Sequence, residues 1–164
     1  KTNPNTTQRY EITVELVDPP ADIKRISGEA HFSIPDVACM PTPDRIAGYT
    51  PGSRYIKNFS LTYAGSNTYK GHIFLDWPVD EDYYGLGVCK WELATAGVII
   101  DFGTYSQEPD LWGGTDFPTV GRKWWCRRPD SQRILENCTS PVDPANVERE
   151  SRDSYLVILS SARR

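Results

Sequence analysis

Tyr10, Ile12, Val14 and Leu16 alternate with Glu11, Thr13 and Glu15. That period of two predicts a half-buried β-strand, ended by Asp18-Pro19-Pro20. A second strand is expected over about residues 26–34, with Ala30, Phe32 and Ile34 on one face and Glu29, His31 and Ser33 on the other. A third runs over 55–63, carrying Phe59, Leu61 and Tyr63. Ala64-Gly65-Ser66-Asn67 reads as a hairpin turn into a fourth strand over 68–77. Pro78 breaks that run, because proline cannot donate to a sheet ladder. The fifth strand is the longest, 88–102, with a kink or bulge expected at Gly97. Lys123-Trp124-Trp125-Cys126 predicts a strand in which basic side chains shield the tryptophans, and Tyr155 to Ser161 a last, strongly apolar one. Between these lie a polar, flexible tail (1–8), a long proline-rich connection (35–53) and a loop over 105–121; Asp143 to Arg152 reads as one short helical turn. With 13 prolines and 12 glycines, long helices are excluded. The expected fold is all-β: one antiparallel β-sandwich domain over residues 1–164, with a closed barrel as the alternative.

Four cysteines without a CxxC spacing change the picture from a bare sandwich to a stapled one. Two disulfides are expected, and with them an oxidising compartment reached by export, periplasmic or extracellular. Of the possible pairings we favour Cys126–Cys138, closing a short local loop, and Cys39–Cys89, pinning the long connection to the fifth strand. The polar start at Lys1 is compatible with a signal peptide or lipoprotein leader removed upstream, the latter offering a membrane tether.

Net charge is −4, which argues against general nucleic-acid binding. The charge is unevenly spread: from Asp76 to Asp116 there are nine acids and one base, Lys90, whereas from Arg122 to Arg133 there are five bases and one acid. Opposite solvated faces explain this, and so does an acidic face that steers a basic protein partner.

Catalytic patterns are absent. There is no Gly-x-Ser-x-Gly elbow, no Walker loop, no Rossmann glycine fingerprint and no His-Glu-x-x-His. Both histidines, His31 and His72, sit in strand patterns. Asp76, Asp80, Glu81 and Asp82 are oxygen donors of the kind calcium takes, but without EF-hand spacing; no metal or cofactor is expected. Two stretches are candidates for contact with a partner. One is the acidic turn Asp80, Glu81, Asp82, Tyr83 and Tyr84; the other is Glu108, Asp110, Leu111, Trp112 and Asp116, with Trp112 the expected anchor between acids.

The segment Asp80-Glu81-Asp82-Tyr83-Tyr84-Gly85-Leu86-Gly87-Val88-Cys89-Lys90-Trp91-Glu92-Leu93 resembles one found in small exported proteins of Gram-negative bacteria, in which an acidic-aromatic turn leads into a Gly-x-Cys-x-Trp strand. Some of those are similar to periplasmic immunity proteins that neutralise antibacterial effectors of contact-dependent, type VI-like secretion, lipases and phospholipases among them. The resemblance covers about a tenth of the chain and carries no catalytic residue. It implies a non-enzymatic protein that binds and blocks a secreted effector. Two other readings remain: a sandwich module that stacks carbohydrate or lipid on Trp77, Trp91, Trp112, Trp124 or Trp125, and a self-associating envelope component.

Overall fold

The computed structural model describes residues 1–42, 54–113, 117–128, 138–139 and 154–164. The protein is an antiparallel two-sheet β-sandwich. Its described strands are β1 (Arg9–Val17), β2 (Arg25–Ser33), β3 (Arg54–Phe59), β4 (Thr62–Gly65), β5 (Thr68–Phe74), β6 (Glu92–Asp101), β7 (Ser106–Gln107), β8 (Asp110–Trp112), β9 (Arg122–Arg127) and β10 (Ser154–Arg163). One sheet has the order β4-β5-β1-β10-β9; the other is β3-β2-β6-β7, with β8 also pairing with β6. The described strands form two separate sheets that do not close on each other, so the barrel alternative is not realised.

The two-residue period places the core. Ile12, Val14 and Leu16 of β1 and Val157 and Leu159 of β10 project from the first sheet onto Ala30 and Phe32 of β2 and Ala96, Val98 and Ile100 of β6. Each is at most 5% exposed. Between β4 and β5 the chain reverses through Ser66 and Asn67, both at positive φ (49° and 54°), the twist that a two-residue hairpin prefers. A base does lie over the Trp124 ring, at 5.3 Å, but it is Arg122, just before the segment in which that shielding was expected. Both expected disulfides are formed, Cys39–Cys89 and Cys126–Cys138.

A buried polar bridge joins the sheets. Gln107 is 2% exposed; its Nε2 donates to the Arg127 carbonyl at 2.8 Å, and its Oε1 accepts from the Tyr155 hydroxyl at 2.5 Å. Burial pushes the Tyr155 pKa far above its ordinary value, so the hydroxyl stays a donor. Tyr155→Phe is expected to destabilise the protein by about 1–3 kcal/mol, because Gln107 Oε1 is left buried without a donor. Urea unfolding measures this, and a midpoint that does not move would show that Gln107 finds another partner.

Several elements differ from the sequence expectation. The expected third strand is two: β3 pairs with β2 in one sheet, whereas β4 pairs with β5 in the other. The alternation ran on because Phe59 and Leu61 both face the core on either side of the corner. The long fifth strand begins at Glu92, and its irregularity lies where Thr95 and Leu93 face His31 and Phe32, skipping Ala94, not at Gly97. Gly97 instead admits β8, since a Cβ there would lie 3.3 Å from Asp110 Cβ. Residues 105–121, expected as a loop, supply the short strands β7 and β8. Residues 1–8, expected as a flexible tail, lie along 74–81 and are hydrogen-bonded there. The helical turn expected over Asp143 to Arg152 lies outside the described residues.

Candidate functional site

The chain crosses from β5 to β6 through residues 75–91, and almost every polar group of that segment shapes it. Pro78 is buried against the N-terminal strap, where Thr2 and Pro78 form a bridge. Asn3 N–H donates to the Trp77 carbonyl and Val79 N–H to the Lys1 carbonyl. Asp80 Oδ1 accepts from Trp91 N–H at 2.9 Å, closing the loop at its base. Glu81 and Cys89 pair through their backbones, and Glu81 Oε1 takes the Lys1 ammonium at 2.5 Å. Asp82 Oδ1 accepts from Leu86 N–H at 3.0 Å, while Gly85 and Gly87 take positive φ (73° and 110°), which a glycine tolerates at no steric cost.

The acidic turn is thus a built loop before it is a binding surface. Tyr83 turns inward: its hydroxyl donates to the Val79 carbonyl, and its ring meets Trp91 edge-on at 6.4 Å. The aromatic contacts continue from Trp91 to Tyr55 (6.1 Å) and from Tyr55 to Phe32 (5.8 Å) in the core. On the outer side the tip shows apolar groups to solvent: Tyr84 is 37%, Leu86 54% and Val88 57% exposed. Cys39–Cys89 fastens this tip to the short 3-10 turn Val37–Cys39, whose Val37 is 64% exposed. Two exposed acids belong to the same segments, Asp36 beside Val37 and Asp82 bonded to Leu86 N–H. Sequence reading took Val88 as the first residue of a strand and so missed Leu86 and Val88. The paired positive-φ glycines on either side of Leu86 were the available signal for a tip.

Glu108, Asp110, Leu111 and Trp112 sit elsewhere, along the edge of β6. Leu111 is fully buried between the sheets, so it belongs to the core and offers no contact surface. Trp112 closes β8 opposite Thr95. Glu108 and Asp110 border a shallow groove of about 150 Å³ on the outer face with the Glu29–His31 pair (2.5 Å). Asp116 lies outside the described residues. The two candidate stretches therefore flank different parts of β6, its start and its middle, and do not merge into one site.

The other chemical candidates are committed to structural contacts. His72 Nε2 lies 2.9 Å from an Arg9 guanidinium nitrogen, and burial lowers its pKa. Among the described residues no group of three or more His, Cys, Asp or Glu side chains could hold a metal ion. Trp77, Trp91, Trp124 and Trp125 are each partly buried, which disfavours an open stacking platform.

Asp76 fixes the strap. Burial raises its pKa, but donation from Thr7 N–H (2.8 Å), Gln8 N–H (3.1 Å) and the Thr7 hydroxyl (3.1 Å) outweighs it, and the carboxyl ends below its ordinary value of 3.8. A depressed pKa stabilises the fold above the unfolded value and loses that contribution as pH falls through the folded one. Hydrogen exchange at the Thr7 and Gln8 amides is therefore expected to stay protected at pH 5 and to rise, beyond the intrinsic change, only once the pH has fallen below the ordinary carboxyl value of 3.8. Asp76→Ala, which leaves neither amide a side-chain acceptor, is expected to expose both at every pH; protection that survives the substitution would mean that the strap is held by its backbone bridges alone.

A cleft of about 520 Å³ opens beside the loop, between the end of β5 and the start of β6. Its walls include Leu75, Trp91, Leu93 and Phe117, and the strap contributes Asn3 and Gln8. No family model, curated protein or solved structure matches the chain.

Proposed function

We propose that this protein is a non-enzymatic binding protein of an oxidising, exported compartment that captures a secreted effector and neutralises it, in the manner of the periplasmic immunity proteins that its acidic-aromatic segment resembles. The observation that carries this reading is the tip of residues 82–88. Tyr84, Leu86 and Val88 are held out to solvent on a loop that a disulfide, two carboxylate-to-amide bonds and an aromatic chain make rigid. A protein that needed only to fold would gain from burying them, and a preorganised apolar patch loses little entropy on binding. The neighbouring acids Asp36 and Asp82 favour a partner with basic residues around an apolar recess. The two disulfides fit the compartment.

Leu86→Asp is the sharpest test, since it puts a charge at the centre of the patch and Leu86 has no core contact to lose. The native protein is expected to capture one stoichiometric protein from the source's own secreted and periplasmic fractions, and that protein is expected to be toxic to cells lacking this chain. Against the purified partner, Leu86→Asp should lower affinity by at least about 2 kcal/mol, roughly thirtyfold. Equal affinity in calorimetry would remove the tip as the contact surface, and a captured protein without toxicity would remove the immunity role.

A further inference from the structure

We propose that the cleft between the end of β5 and the start of β6 binds an organic cation, a primary ammonium or guanidinium group carried on an apolar stem. At about 520 Å³ it falls in the size range of small-molecule sites. Its walls divide by chemistry. Leu75, Trp91, Leu93 and Phe117 offer apolar and aromatic surface of the kind on which an organic cation's stem and charge both rest. Among the described residues, the ionisable members of the lining are all acids: Asp76, Asp80 and Glu92.

Those acids are differently placed to act. Both Asp76 oxygens accept from the strap, and that carboxylate sets the field without being free to move. Asp80 uses Oδ1 on Trp91 N–H, which leaves Oδ2 for a ligand. Glu92 is exposed and has no ion-pair partner among the described residues. The nearby base, Lys1, is engaged by Glu81 and lines no part of the cleft. An anion is therefore repelled. Among the described residues a bare metal ion lacks the converging donors it needs. A neutral apolar ligand would waste the carboxylates. The Trp91 ring is braced on two sides, by Tyr55 and Tyr83, so the wall is preformed.

The proposal does not rest on effector capture, and its test uses small probes. Phenethylamine is titrated into the labelled native protein, with 2-phenylethanol as the neutral counterpart, and the Trp91 indole N–H resonance is followed. The amine is expected to shift that resonance saturably, with a dissociation constant on the order of 1 mM. The alcohol is expected to bind at least about tenfold more weakly, and salt to weaken the amine alone. Glu92→Gln, at an exposed position, should weaken the amine at least about threefold and leave the alcohol unchanged; Asp80→Asn, which keeps an acceptor for Trp91 N–H, should act in the same direction. Equal binding of amine and alcohol, or no saturable shift at Trp91, would overturn the proposal, and so would indifference to both substitutions. A capped phenylalanyl-lysine amide separates the two sources of such a cation. Tighter binding than the free amine assigns the cleft to a side chain of a protein partner, weaker binding to a free small amine.

Discussion

Replacing Cys39 and Cys89 together by alanine is expected to lower the unfolding free energy by about 4 kcal/mol, the chain-entropy value for a loop of this length. The bridge spans 50 residues, against 12 for Cys126–Cys138, whose removal should cost about 3 kcal/mol on the same argument. Both sulfurs of the longer bridge are buried, with Ile34 and Met40, in a small second core that Tyr83 and Trp91 cover. Deleting the bridge therefore loosens the loop as well as the denatured chain. Guanidinium unfolding of the oxidised native protein and of the double variant measures the cost. Far-ultraviolet dichroism should keep the sandwich signal while amides of residues 80–89 lose protection from exchange. A loss of less than about 1 kcal/mol with the loop still protected would mean that the backbone pairing of Glu81 with Cys89 suffices to hold the tip. If the tip is the docking surface, partner affinity should fall in parallel with loop protection, not with global stability.

How much of this was legible in the sequence depends on how far each element follows a period. β1 and β2 are long and half-buried, so their alternation is nearly complete and their inner residues were read in place, whereas β10 was read as a strand from a continuous apolar run that marks no inner face. The disulfide pairing followed from asking which segment needed fixing. β7 and β8 were missed because two or three residues carry no period; what makes them strands is the edge of β6 beside them, a tertiary fact. Leu111 was taken as a candidate contact residue for the same reason. An apolar residue in a segment without periodicity has no face until its neighbour is known. The acidic turn was legible as a turn, but its carboxylates were read as surface charge, whereas Asp80 and Asp82 spend an oxygen each on backbone amides within ten or so residues. The cleft was illegible because its walls come from the strap, the 75–93 segment and Phe117, which only the crossing of the chain between sheets brings together.

Phe32→Ala is expected to destabilise the protein by about 3–5 kcal/mol, the range for removing a buried aromatic from a core that cannot collapse around it. Phe32 is 1% exposed, and its ring meets Tyr55 at 5.8 Å and Trp77 at 6.4 Å, both near edge-on. Those neighbours are the inner ends of the two supports of the loop. Tyr55 backs Trp91 and accepts or donates a hydrogen bond with Thr2 of the strap, and the Trp77 carbonyl receives Asn3 N–H. Truncating Phe32 should therefore be felt twice, as a lower unfolding midpoint and as a shifted Trp91 indole resonance in the folded protein. Phe32→Leu separates the two effects. Leucine refills part of the volume and should recover about half of the stability, but it cannot restore the edge-to-face contact with Tyr55, worth about 0.5–1.5 kcal/mol. A leucine variant with native stability and a native Trp91 resonance would show that the loop stands on its disulfide and carboxylates alone. A leucine variant that recovers stability while Trp91 stays displaced would show that the core aims the tip through its aromatic chain, and that the surface proposed to meet a partner is set from inside the sandwich.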